Sequence, residues 1–127
     1  MAPLTAAPDE LVLLHNPRCS KSRAARALLE ERGVAFRERR YLEDPLSEDE
    51  LRELAARLGA PPAQWVRRSE TAYAQAGLGD GASDAAILRA MAAHPILIER
   101  PIAVRGARAV VGRPPERVLA LVGDARD

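Results

Sequence analysis

LVLLHNPRCSKSRAARALLEERG, Leu11 to Gly33, carries three signals in 23 residues. LVLLH, Leu11–His15, is a short continuous apolar run and reads as a buried strand of a sheet covered on both faces. NPRC then breaks the run. From Ser20 to Arg32 apolar residues recur at Ala24, Ala27 and Leu28, with Ala25 beside them, which is helical spacing, and Gly33 ends the helix as a C-terminal cap. VAFRERRYL, Val34–Leu42, alternates well enough for a second strand. Strand, helix and strand form a βαβ unit, which implies a parallel pair and a right-handed crossover.

Downstream, DPLSEDELRELAARLG predicts a helix with Ser47 as N-cap and Glu50 completing a capping box. Leu51, Leu54, Ala55 and Leu58 form its apolar stripe, and Gly59 stops it. A second short helix is expected over Pro62–Arg67. SDAAILRAMAAHP predicts another, capped by Ser83 and stopped at His94-Pro95. PIAVR and ARAVVG read as two strands joined at Gly106. PPERVLALVGD reads as a last helix with prolines in its first turn. The order βαβ, helices, ββα predicts an α/β thioredoxin-like (glutaredoxin-like) sheet with a helical insertion after the second strand, at about residues 45–95. Residues 1–10 read as a flexible leader and 11–127 as one domain.

The chain's single cysteine, Cys19, falls between the first strand and the first helix. Backbone N–H groups at a helix start point outward with partial positive charge and stabilise a thiolate. Arg18, Lys21 and Arg23 would add positive charge. His15 would act as a charged neighbour or a hydrogen-bond donor. Ser22 stands three residues after Cys19, where its hydroxyl would reach the sulfur across one turn. The motif is C-x-x-S, a dithiol motif without its second sulfur, so any resolving thiol must come from outside. A lone cysteine is more often a small buried hydrophobe. Here the flanks Asn16, Pro17, Arg18, Ser20 and Lys21 are poor company for a core position, and the strand-end, helix-start location suits a ligand site.

Composition excludes several classes. The 127 residues are 47% hydrophobic and 29% charged, ordinary for a globular domain with a core. A net charge of +1 and 3% aromatics give no basic surface and no stacking platform for nucleic acid. No run approaches the roughly 18 apolar residues of a membrane span. One cysteine and an N-terminus without a basic, apolar leader point to a reducing compartment, the cytoplasm. A monomer is expected. No zinc pattern, P-loop, calcium loop or G-x-G-x-x-G occurs, so neither a metal nor a bound cofactor is expected. His94 reads as a helix stop, and Trp65 and Tyr73 as packing residues.

Among the many arginines, three lie at element ends: Arg67, Arg100 and Arg113. The planar guanidinium fork matches a tetrahedral oxyanion. Arg100 is the best of these from the residues alone, because it precedes Pro101 at a strand start, a position where cis X-Pro bonds occur. Arg113, before Pro114-Pro115, would lie at the same sheet edge.

HNPRCSKSR, YLEDPLSEDEL, HPILIERPIAV and GRPPERVLALV, in that order, resemble the glutaredoxin-dependent arsenate reductase family of bacteria, from about Leu11 to about Asp124. Arg18 before the cysteine and Ser20-Lys21 after it look more like a subgroup of that family than its better-known members, which carry a small residue before and Gly-Thr after. The resemblance implies that Cys19 is the nucleophile, that His15 and Ser22 assist thiol activation, and that Arg67, Arg100 and Arg113 bind the oxyanion. It implies a cis proline at Pro101. It implies reduction of arsenate to arsenite with glutathione as co-substrate and glutaredoxin as partner. Two other readings use the same residues. One is a monothiol oxidoreductase acting on glutathione mixed disulfides, which needs Cys19 but not the arginines. The other is a regulatory protein of this fold docking on RNA polymerase, although such regulators carry C-x-x-C where this chain has Ser22.

Overall fold

A computed structural model describes Leu4 and residues 9–79 and 81–122. Strand β1 (Leu11–Leu14) leads through helix α1 (Ser20–Glu31) to strand β2 (Arg37–Arg39). The insertion follows: α2 (Glu48–Leu58), a 3-10 turn at Pro62–Gln64, α3 (Thr71–Gln75), α4 (Asp84–Ala93) and a 3-10 turn at Pro95–Leu97. Strands β3 (Ile102–Arg105) and β4 (Arg108–Val111) then precede a 3-10 helix, Pro115–Leu121. The sheet order is β2-β1-β3-β4, with β1 parallel to β2 and antiparallel to β3, and β3 antiparallel to β4. The thioredoxin-like architecture expected from the order of elements is the one observed, insertion included.

The strand period of two divides the core. Val12, Leu14, Ile102 and Val104 face one side, where Trp65, Met91 and the leucines of α2 cover them. Leu11, Leu13 and Ala103 face the other, against Ala25, Leu29, Val118 and Leu121. Helix α2 starts and stops as its sequence dictates. Glu50 N–H donates to Ser47 Oγ (3.1 Å) and Ser47 N–H donates to Glu50 Oε1 (3.0 Å), and Gly59 closes the helix at φ +66°. Ser83 caps α4 by accepting from Ala86 N–H at 3.1 Å. The stretch read as a leader contributes Leu4 to the core at 0% exposure, and its carbonyl accepts from Arg37 Nη2 at 3.2 Å.

Several local expectations are corrected. The buried face of α1 is Ser22, Ala25 and Leu29, whereas Ala24 and Ala27 are exposed. A sequence stripe built on apolar residues leaves out a serine, but Ser22 is admitted to the core because its hydroxyl is fully used. The second strand shrinks from Val34–Leu42 to three residues, because the chain turns at Arg40, whose carbonyl accepts from Glu43 N–H (3.0 Å) and Asp44 N–H (2.9 Å). The helix expected over Pro62–Arg67 is one 3-10 turn. The last helix is 3-10, not α. Its inward residues, Val118 and Leu121, are three apart, the repeat of a 3-10 helix, and its leading prolines donate no N–H. Helix α3 has no counterpart in the sequence reading.

Candidate active site

Register decides which chain segments meet. Leu14 pairs with Arg39 on one side and Ile102 on the other, and Ile102 pairs with Val111. One step beyond these pairs lie His15, Arg40, Pro101 and Gly112, at the same end of the sheet. His15 N–H donates to Arg39 O (2.8 Å) and Gly112 N–H to Pro101 O (2.8 Å). The Arg100-Pro101 bond is cis, as expected, and Arg113-Pro114 is cis as well. Gly112 fits where nothing larger would: a Cβ there would come within 2.8 Å of Pro101 Cγ and 2.9 Å of Val118 Cγ1.

The cysteine loop is a turn organised by Asn16. Its side-chain Oδ1 accepts from Arg18 N–H (2.9 Å) and its carbonyl accepts from Cys19 N–H (3.0 Å). Cys19 occupies the N-cap of α1 with extended backbone, and its side chain caps no helix N–H. Its thiol is free and partly buried. Arg18 and Lys21 are exposed, and Arg23 Nη1 is turned to Pro17 O (2.9 Å).

Ser22 is buried. Its hydroxyl points inward, 2.7 Å from His15 Nδ1, and accepts from Asn16 N–H at 3.0 Å. It therefore braces the cysteine loop against the end of β1. His15 is 2% exposed, and burial holds its pKa below the ordinary 6.5. The nearby Glu38 carboxylate opposes that shift, while Arg26, Arg40 and Arg23 reinforce it. Burial thus favours the uncharged form of the imidazole.

Two of the three arginines, Arg67 and Arg113, meet through a residue the sequence reading did not single out, Glu99. Val66 and Ile98 form an antiparallel bridge, with Arg67 N–H donating to Leu97 O (2.7 Å) and Glu99 N–H to Trp65 O (3.0 Å). That bridge fixes Arg67 beside the entry to β3. Glu99 Oε1 then lies 3.6 Å from Arg67 Nε and 3.0 Å from Arg113 Nε. Arg113 Nε also donates to Arg100 O at 2.9 Å, and Arg67 Nη1 pairs with Glu70. Arg100 is different: its Nε and Nη1 are buried and have no partner.

Tyr41, just past β2, was also missed. It is 0% exposed. Burial pushes its phenol far above the ordinary 10, and the charges of Cys19 and Glu99 push the same way, while Arg67 and a hydrogen bond with the Asn16 side chain oppose them. Cys19, Arg67, Glu99 and Tyr41 thus share one electrostatic neighbourhood. A cavity of about 210 Å³ lined by His15, Asn16, Pro17 and Arg18 opens beside the cysteine loop. Among the described residues no group of three His, Cys, Asp or Glu side chains is placed to hold a metal, and no helix is long and apolar enough to cross a membrane.

A β2-β1-β3-β4 sheet with one thiol at the start of the first helix, and a cis proline at the same sheet end, defines a thioredoxin-like protein of the single-thiol kind. The model of the ArsC family matches residues 14–121, and the chain belongs to that family. It is 44% identical over 115 residues to the arsenate reductase of Neisseria meningitidis serogroup A, covering 89% of this chain and 98% of that one. It is 35% identical to an Escherichia coli arsenate reductase, covering 93% of this chain and 84% of the other. The solved structure of the arsenate reductase from Vibrio cholerae superposes with a TM-score of 0.84 at 44% identity, covering 91% of this chain and 99% of that one.

Proposed function

We propose that this protein is an arsenate reductase that uses Cys19 as its nucleophile, glutathione as co-substrate and glutaredoxin to regenerate the thiol. The observation that carries the reading is Arg100. Two of its guanidinium nitrogens are buried without a partner at the sheet end that holds the only thiol. A buried cationic donor left unpaired is costly, and a tetrahedral oxyanion supplies what it lacks.

The chemistry balances with thiols alone. The Cys19 sulfur attacks arsenic of hydrogen arsenate, an oxygen leaves as water, and a cysteinyl-arsenate adduct forms. Arg67, Arg100 and Arg113 offset the charge on its oxygens. The sulfur of glutathione then attacks Cys19 sulfur. The S–As bond breaks, its electron pair stays on arsenic, and arsenite leaves as arsenic passes from the +5 to the +3 state. The two sulfurs are oxidised together to a mixed disulfide. A glutaredoxin thiol takes the glutathionyl group and frees Cys19. Both electrons come from thiols, so the reading calls for no bound cofactor, and it suits a compartment that keeps thiols reduced.

The test is NADPH consumption by the purified protein with arsenate, glutathione, glutaredoxin and glutathione reductase, beside Cys19→Ser. Arsenate-dependent turnover that disappears in Cys19→Ser and collapses in Arg100→Leu supports the reading. Turnover that survives Cys19→Ser refutes it. Turnover with thioredoxin and not with glutaredoxin keeps the reductase and replaces the donor.

A further inference from the structure

The acid that precedes Arg100 stands inside the arginine cluster. Glu99 Oε1 lies 3.0 Å from Arg113 Nε and 3.6 Å from Arg67 Nε, and it accepts from Arg100 N–H at 3.3 Å. Glu70 also pairs with Arg67, through Nη1. Glu99 is the acid that meets Arg67 and Arg113 both. Arg113 contacts Glu99 and the Arg100 carbonyl through Nε. An oxyanion held by the outer nitrogens of that guanidinium therefore stands beside the Glu99 carboxylate. Solvent reaches the pair, because a cavity of about 420 Å³ is lined by Glu99 and Arg113 together with Gln64, Trp65 and Arg117.

A carboxylate in this place changes which anions the arginines accept. The three guanidiniums of Arg67, Arg100 and Arg113 stand with two carboxylates, Glu70 and Glu99, so the cluster carries one net positive charge. That charge suits a singly charged oxyanion better than a doubly charged one. The carboxylate also offers acceptors alone, in roughly four lone-pair positions. An oxyanion that carries a proton can donate it there in a short, charge-assisted O–H···O⁻ bond. One that carries no proton meets only repulsion between facing lone pairs. Arsenate and phosphate keep at least one proton at neutral pH, and sulfate keeps none.

We infer that Glu99 is a specificity-determining residue: its carboxylate accepts a hydrogen bond from the protonated oxygen of the oxyanion held by Arg67 and Arg113, and so selects proton-carrying tetrahedral oxyanions over sulfate. The inference rests on the arsenate reading above and adds to it the choice among anions of one shape. Arginines alone take any tetrahedral oxyanion, because their forks match its geometry and not its protonation. A site built to hydrogen-bond a substrate hydroxyl rejects the analogue that lacks it.

The test is protection of Cys19 in the full chain against alkylation by iodoacetamide, with arsenate, phosphate and sulfate compared at constant ionic strength. In the unsubstituted protein sulfate should need at least about tenfold the half-protecting concentration of arsenate, and phosphate should fall with arsenate. Glu99→Gln keeps the shape and removes the charge. Arsenate affinity should then rise by about tenfold or less, since weakening of the hydrogen bond offsets part of the lost repulsion. Sulfate affinity should rise by a further factor of about ten, which closes the gap. A sulfate-to-arsenate ratio unchanged in Glu99→Gln overturns the inference and leaves the reductase standing. Equal protection by sulfate and arsenate before any substitution does the same, and that result needs no folded variant. If every anion protects less well in Glu99→Gln by one common factor, Glu99 only holds the arginines in place and the inference falls. Absence of arsenate protection in the unsubstituted protein overturns this inference and the arsenate reading together.

Discussion

The Glu99 carboxylate stands 3.0 Å from Arg113 Nε, and the same oxygen is 3.6 Å from Arg67 Nε. Two arginines from distant parts of the chain are held together by one acid, which is itself the residue before Arg100. All three side chains are only partly exposed, at 26% for Glu99, 17% for Arg67 and 32% for Arg113, so screening of the group is incomplete. On the proposed reading, an incoming oxyanion would meet cations that already have a counter-ion.

Glu99→Gln keeps the shape and removes the competing charge. Oxyanion affinity should rise by roughly threefold to tenfold, most at low salt. Arsenate protection of Cys19 from alkylation measures it. Weaker protection in Glu99→Gln would show that the carboxylate is needed to hold the arginines in place.

Ser22→Ala separates bracing from contact with sulfur. The hydroxyl serves His15 Nδ1 and Asn16 N–H, both buried, so its loss leaves two polar groups unpaired. Unfolding free energy should fall by about 1–3 kcal/mol, read by urea titration. An unchanged midpoint, with only the alkylation rate of Cys19 altered, would return Ser22 to a role on the sulfur.

His15 shapes the acid side of the stability curve. The folded protein binds its proton less readily than the unfolded chain, whose histidine titrates near 6.5. Between that value and the lowered folded one the unfolded state holds more protons, so stability is full above 6.5 and declines as pH falls through the window. His15→Gln should flatten the melting-temperature profile just below pH 6.5. The fall at more acid pH should persist, because it belongs to carboxylates such as Glu38 and Glu50. Burial works against their ionisation, but hydrogen bonds from Arg40 and Arg39 hold both below the usual carboxylate range. Identical profiles for the two proteins would refute the assignment.

Glu50 holds two positions at once. It completes the cap of α2 and forms a bidentate pair with Arg39, at 2.7 Å to Nη1 and 3.2 Å to Nη2, with side chains 7% and 8% exposed. Removing Glu50 takes the buried counter-charge from Arg39 and leaves it the exposed Asp44 carboxylate at 3.4 Å and two backbone carbonyls. Glu50→Ala should cost roughly 3–5 kcal/mol, against about 1 kcal/mol for a lone N-cap such as Ser83→Ala. Thermal unfolding compares the two, and equal losses would reduce Glu50 to its capping role.

The features legible in the sequence are those governed by contacts within a few residues. The Ser47–Glu50 capping box, the stop at Gly59, the cap at Ser83 and the placement of Cys19 at a helix start follow from backbone groups that a neighbour three or four positions away must satisfy. The βαβ order and the strands around Gly106 follow from hydrophobic period and turn chemistry. Tertiary structure alone decided the rest. Ser22 gains its partners, His15 and Asn16, from the rotation of α1. Glu50 reads as a cap until β2 brings Arg39 onto it. Tyr41 reads as one position of an alternating strand until parallel pairing of β1 with β2 carries it to the thiol's end of the sheet. Glu99 carries no local signal until the Val66–Ile98 bridge sets Arg67 against it. Each of these contacts joins elements packed across the core or paired across the sheet. Their geometry is set by strand register and helix rotation, which no local spacing in the chain encodes.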